Sequence, residues 1–125
     1  MSALAVFVGA GIGGLIRHYL NSFVVALFGT AFPWGIFIIN VTGSIAMGII
    51  VELLALRVNA PQDIRLFITT GILGGYTTFS TFSLDAALLY ERGQLGLSLL
   101  YVAGSVTVAI AGLFLGMSAV RMVTP

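Results

Sequence analysis

The stretch Gly74-Gly75-Tyr76-Thr77-Thr78-Phe79-Ser80-Thr81-Phe82-Ser83 places two glycines, five serine and threonine hydroxyls and two phenylalanines spaced three apart in a region that otherwise reads as lipid-buried. In hydrocarbon every backbone polar group needs an internal partner. Irregular, hydroxyl-rich backbone at that depth is tolerated only where protein buries it or water and ions reach it. Glycine is unfavourable inside a helix and permissive outside one. The Gly74-Gly75 pair therefore predicts a break near residues 74–79, with a half-helix on either side and the hydroxyl cluster at the join. Such a break points to an ion or substrate path.

The surrounding chain supports the lipid reading. Of 125 residues, 59% are hydrophobic and 7% charged, with a mean hydropathy of +1.15; soluble domains carry roughly 25% charged residues. We read an all-α integral membrane protein forming one domain over residues 1–125. A crossing needs about 20 apolar residues. Four stretches fit: about 3–20 (extendable to 28), 33–56, 64–90 and 96–119, separated by Gly29 with Pro33, by Arg57 to Pro61, and by Glu91-Arg92-Gly93. Pro33 and Pro61 stand where helices are expected to start, and Trp34 suits a membrane interface. The third stretch, at about 1.5 Å per residue, would span roughly 40 Å against about 30 Å of hydrocarbon, which also favours a break. No Lys or Arg precedes the first apolar run and no cleavage site is evident, so that span is expected to be retained.

Four spans place both termini on one side with Arg57, Arg65 and Arg121. Arg92 lies on the other side, together with Arg17 if the first span ends near residue 20. This weak arginine asymmetry predicts insertion in both orientations. Small residues recur at helix-packing spacing in Gly9/Gly13, Ser44/Gly48, Gly71/Gly75 and Gly112/Gly116. Four thin, close-packed helices leave no room for an aqueous pore within one chain. A path would form between chains, and an antiparallel homodimer would supply the inverted repeat that transporters often encode in one longer chain.

Several side chains carry candidate chemistry. Asn40, mid-way along the second span, either hydrogen-bonds a neighbouring helix or donates N–H to a passing anion. Phe79 and Phe82 share a helix face with Ser80, Thr81 and Ser83 close by. Ring edges are positive and hydroxyls donate hydrogen bonds, so this turn can attract an anion without a formal charge. Unwound carbonyls at Gly74 and Thr77 can coordinate a hard cation such as Na⁺, or mark a simple kink. Tyr101 and Ser105 lie one turn apart in the fourth span, where back-bonding to the helix is the ordinary fate of a serine hydroxyl. Arg17, His18 and Asn21 mark the end of the first span, and Arg17 either snorkels to headgroups or pairs with Asp85. Glu52, Asp63 and Glu91 read as boundary residues. The chain has one His and no Cys, phosphate loop or paired carboxylates, so no enzyme constellation is present. A net charge of +1 argues against a nucleic-acid partner. The run Gly9 to Gly14 follows no strand and is no dinucleotide fingerprint.

With these residues in view, the chain resembles the small bacterial fluoride channels called Fluc or CrcB. The likeness rests on Gly14-Leu15-Ile16-Arg17, on Asn40-Val41-Thr42-Gly43-Ser44 and above all on residues 74–83. It implies an antiparallel dimer in the bacterial inner membrane with two fluoride pathways and a central structural Na⁺. Gly74 and Thr77 would supply carbonyls to that ion. Asn40, Phe79, Phe82, Ser80, Thr81, Tyr101 and Ser105 would line the fluoride pathway, with Arg17 and Asp85 at the vestibule. Ile36 departs from a common Thr, and Asp85 from a common Glu. The alternative of a proton-coupled small multidrug exporter calls for a buried carboxylate in the first span, which is absent here. A non-transporting scaffold would leave the polar break unexplained.

Overall fold

Residues 15–28 contain neither glycine nor proline, so nothing stops the first helix near residue 20. In the computed structural model, which describes residues 1–124, α1 runs Ser2–Phe28. It ends at Gly29, whose φ of 77° is open to glycine and strained for other residues. The Gly29 N–H closes the last turn on the Val25 carbonyl at 2.8 Å. The helix takes the longer of the two expected bounds, so Arg17, His18 and Asn21 lie inside it and do not mark its end. α2 is Trp34–Leu56, started by Pro33. α6 is Leu95–Val123. These three helices are each long and apolar enough to cross a membrane.

The third span in chain order is composite. α3 (Gln62–Leu66) follows Pro61 and passes into a π-helical segment, Phe67–Leu73, and then the single turn α4, Gly74–Tyr76. Thr77 and Thr78 are extended, with ψ of 158° and 124°, and α5 resumes over Phe79–Glu91. The break thus falls within the expected window and consists of the two threonines. The π-helical winding before it has no counterpart in the sequence reading. Among the described residues there is no strand.

Two helix pairs hold the fold together: α2 on α6, and α1 on the π segment and α4. Glycines set the spacing in both. A methyl group built on Gly9 would lie 2.9 Å from Gly71 Cα, and one on Gly75 would lie 2.8 Å from Ala10 Cα. On the other pair, Gly48 faces the Leu113 carbonyl and Gly116 the Ile45 carbonyl at distances that leave no room for a Cβ. In lipid, where apolar contact gives helices little reason to associate, such backbone approach supplies the packing attraction. α5 leans on α6, where the buried Ser98 hydroxyl donates to the Ala86 carbonyl at 2.8 Å. Ile36, Ile39, Phe82, Leu89 and Tyr101 form the buried core.

At the terminal end of the bundle, arginines satisfy carbonyls that helix ends leave open. Arg57 donates to Val123 O at 3.2 Å and Arg65 to Leu54 O at 3.4 Å, both in the last turn of a helix; Arg65 also donates to the loop carbonyl of Ala60 at 3.0 Å. Glu52 is not the boundary residue expected: it is 7% exposed and receives the Arg121 Nε–H at 2.7 Å. Trp34 lies at the opposite end among Phe28, Phe32 and Phe37, as an interfacial aromatic cluster should.

Candidate ion pathway

One amide bridges to the break. Asn40 Nδ2 donates to the Thr78 carbonyl at 3.0 Å, and the Thr78 N–H donates back to Asn40 Oδ1 at 2.8 Å. This two-point contact mimics a strand pair and fits the extended conformation of Thr78. The Thr78 side chain then starts the next helix: its Oγ1 accepts from the Thr81 N–H at 3.2 Å. Thr78 Oγ1 also donates to Thr81 Oγ1 at 3.2 Å and lies 3.3 Å from Ser80 Oγ.

These bonds leave particular carbonyls unmatched. In an unbroken helix the Gly74 carbonyl would receive the Thr78 N–H, and the Thr77 carbonyl the Thr81 N–H. The first N–H is taken by Asn40 and the second by the Thr78 hydroxyl, and the Thr77 N–H goes to Leu73 O at 3.1 Å. Gly74 and Thr77 therefore each present a carbonyl without its helical donor, and Gly74 is exposed on the chain surface. The break sets helix ends of opposite polarity side by side: carbonyls at the end of α4, N–H groups at the start of α5.

Two cavities flank this join. A cavity of about 310 Å³ is lined by Asn40, Thr77, Thr78, Phe79, Phe82 and Ser105, among others. A second, of about 190 Å³, is lined by Asn21, Thr81, Asp85 and Arg92 with Phe32 and Ile36. The Thr78–Thr81 hydroxyl bond links the two linings. Phe82 and Tyr101, ring centroids 5.1 Å apart, are buried beside that link.

The predicted residues fall into place unevenly. Phe79 and Phe82 touch, with centroids 5.5 Å apart, yet Phe82 is 8% exposed and Phe79 77%. Both rings line the larger cavity, Phe82 from within the core and Phe79 at its exposed rim. The buried Tyr101 donates its O–H to Asp85 Oδ2 at 3.3 Å. Ser105 does not back-bond to its helix: its buried Oγ has no hydrogen-bond partner and lines the larger cavity. Arg17 forms no ion pair with Asp85, whose recorded partner is Tyr101; Arg121–Glu52 is the one salt bridge among the described residues. Thr78 was missed as an individual. The signal was available, since a threonine directly after a break and before a helical run is an N-cap pattern. Tyr76 was missed as well: Thr42 commits its proton to the Ile38 carbonyl, so the Tyr76 O–H donates to Thr42 Oγ1 at 2.8 Å.

A family profile described as "CrcB-like protein, Camphor Resistance (CrcB)" matches residues 4–117, from the first turn of α1 to the last turns of α6. The chain belongs to the CrcB family. Among curated relatives, "Fluoride-specific ion channel FluC 2" of Nitrobacter hamburgensis is 56% identical over 124 residues, covering 99% of this chain and 100% of the relative. "Fluoride-specific ion channel FluC" of Rhodopseudomonas palustris strain CGA009 is 60% identical over 124 residues, with the same coverage. The protein of that name from Agrobacterium fabrum is 48% identical over 110 residues, 88% of each chain. These CrcB-family relatives bear the names of ion channels and not of enzymes, and the three long apolar helices make this chain a multi-pass membrane protein.

Proposed function

We propose that this CrcB-family chain is a fluoride-selective channel through which fluoride leaves the cell passively across the inner membrane. The observation that carries the reading is the Thr77-Thr78 break, which opens α4 and α5 at membrane depth beside a cavity lined by an amide, hydroxyls and phenylalanine rings. The lining holds no Lys or Arg, so an anion meets weak donors and ring edges in place of a fixed charge. That suits rapid passage, since conduction needs sites that an ion both enters and leaves.

The working unit in this reading is an antiparallel homodimer. Phe79, Ser80 and Gly74 are exposed on the single chain. Hydroxyls and an open carbonyl facing lipid are unfavourable, and a second copy would cover them. Phe79, at the exposed rim of the larger cavity, then faces the partner, while Phe82 lines the same cavity from within its own chain. Fluoride sheds water stepwise along Asn40, Phe79 and Phe82, with Ser80, Thr81, Tyr101 and Ser105 continuing the polar lining toward Asp85.

The unmatched carbonyls of Gly74 and Thr77 fit a Na⁺ ion: both are hard oxygen donors at a helix C-terminal end. When bound, that ion would supply a fixed positive charge at the dimer centre and tie the two broken helices together. Arg17, placed inside α1, belongs to the surroundings of the pathway and not to a helix end.

Fluoride efflux from proteoliposomes tests the proposal. Phe79→Ile and Phe82→Ile are expected to reduce efflux greatly while the dimer persists on size-exclusion chromatography; undiminished efflux would overturn the pathway assignment. The proton-coupled exporter remains disfavoured because α1 carries no Asp or Glu; a fluoride flux indifferent to a proton gradient would dispose of it.

A further inference from the structure

We infer that Asn40 is a positioning residue for the cation site, acting through the backbone of Thr78; this rests on the Na⁺ reading above. The argument is one of hydrogen-bond accounting. A broken helix at membrane depth closes unless its freed groups find other partners. The N–H that would close the turn onto Gly74 O belongs to Thr78, and Asn40 Oδ1 holds it at 2.8 Å. The Thr78 carbonyl is held by the same amide at 3.0 Å. Asn40 thereby keeps Thr78 extended, with φ −150° and ψ 124°, and leaves Gly74 O to a cation. The Thr77 carbonyl is freed in turn, because an extended Thr78 can cap α5 and take the Thr81 N–H.

One side chain thus serves both ions. An amide has two N–H donors; one of Asn40's is committed to Thr78, and the second remains for the cavity it lines. The oxygen sets the cation site and the nitrogen faces the anion path, so loss of the cation carbonyls and loss of anion passage follow from the same substitution. A residue that only donated to an anion would not affect the cation requirement.

The experiment compares Asn40→Ser with Asn40→Asp, reading the thermal stability of the detergent-solubilised dimer as Na⁺ replaces N-methylglucamine. Serine is too short to reach the Thr78 N–H, whereas aspartate keeps the acceptor that withholds this N–H from Gly74 O and loses the donors, the one to Thr78 O included. For N40S the Na⁺ concentration giving half-maximal stabilisation is expected to rise about tenfold or more, with molar Na⁺ restoring the dimer. For N40D it is expected to stay within about threefold of the parent or to fall, although fluoride efflux is lost. Equal Na⁺ dependence of N40S and the parent overturns the inference, as does an N40S chain that no Na⁺ concentration assembles. A parent dimer indifferent to Na⁺ would instead remove the cation reading, and this inference with it, leaving the fluoride pathway to be judged by efflux alone.

Discussion

Ser105 and Ser98 lie on the same helix, both buried, and differ in a way that separates pathway from scaffold. The Ser98 hydroxyl has a partner in the Ala86 carbonyl; the Ser105 hydroxyl has none and faces the larger cavity. Removing a hydroxyl that makes a bond loses about 1 kcal/mol, whereas removing an unpaired one loses no bond. Ser98→Ala is therefore expected to lower the protein's stability by about 1 kcal/mol with fluoride efflux near the parental value. Ser105→Ala is expected to leave stability unchanged or slightly raised and to slow efflux about five- to tenfold, as loss of one weak donor to a passing ion would. Paired thermal melts and efflux rates check both. A second comparison at this scale concerns Glu52 and Arg121. Glu52 is 7% exposed, while the Arg121 side chain is 57% exposed. Arg121→Gln strands a buried carboxylate, so it is expected to destabilise more than Glu52→Gln, which leaves an exposed guanidinium free to meet water. Thermal melts of the two variants give the order directly, and the reverse order would mean that Glu52 is solvated in the folded protein.

At the scale of elements, helix spacing is governed by glycine backbones. A Cβ at Gly13 would meet the Ile72 carbonyl and lie 2.8 Å from the Tyr76 N, so α1 could not keep its distance from the π segment and α4. Gly13→Ala is expected to lower stability by roughly 1–3 kcal/mol through overpacking. Gly96, near the start of α6, has nothing within 4 Å of its would-be Cβ. Gly96→Ala is expected to be neutral, or stabilising by up to about 1 kcal/mol through helix propensity. Fluorescence-detected thermal unfolding in detergent distinguishes the two. The sequence pattern was adequate here for the glycine pairs, because spacing of four puts both members on one helix face. It was not adequate for α1, whose end depends on Gly29 rather than on the polar cluster Arg17, His18 and Asn21. Polar residues do not terminate a helix whose backbone bonds are all satisfied internally. The π-helical winding of Phe67–Leu73 was equally hidden: its β-branched residues and Gly71 weaken α-helix propensity without specifying a wider winding, and only the structure shows Gly71 set against α1.

For the whole molecule, the placement of the arginines bears on how it inserts. Arg57, Arg65 and Arg121 stand at the end that carries the termini, and Arg92 stands at the other. With α1 running to Phe28, Arg17 belongs to the body of the helix rather than to either loop, so its contribution to the asymmetry is weak. Arg57 and Arg65 are moreover occupied with backbone carbonyls at 3.2 and 3.0 Å. We expect a C-terminal compartment reporter to register both orientations in one population of cells; a single orientation in every copy would rule out the antiparallel dimer.

Composition and spacing by themselves determined that the chain is a helical membrane protein, that its third crossing breaks between residues 74 and 79, and that glycine stripes bring the helices together. These are local properties: hydropathy over a span, a glycine pair, a period of four. Resemblance supplied fluoride, and the family match placed the chain among its relatives. Tertiary structure alone decided that Asn40 holds Thr78 from 38 positions away, that Arg121 reaches Glu52 across 69, and that Ser105 is left without a partner. Each depends on which helix faces which, and in a chain this apolar many pairings satisfy the same hydropathy pattern. Only close packing of glycine backbones selects one of them, and with it the carbonyls that the break leaves open.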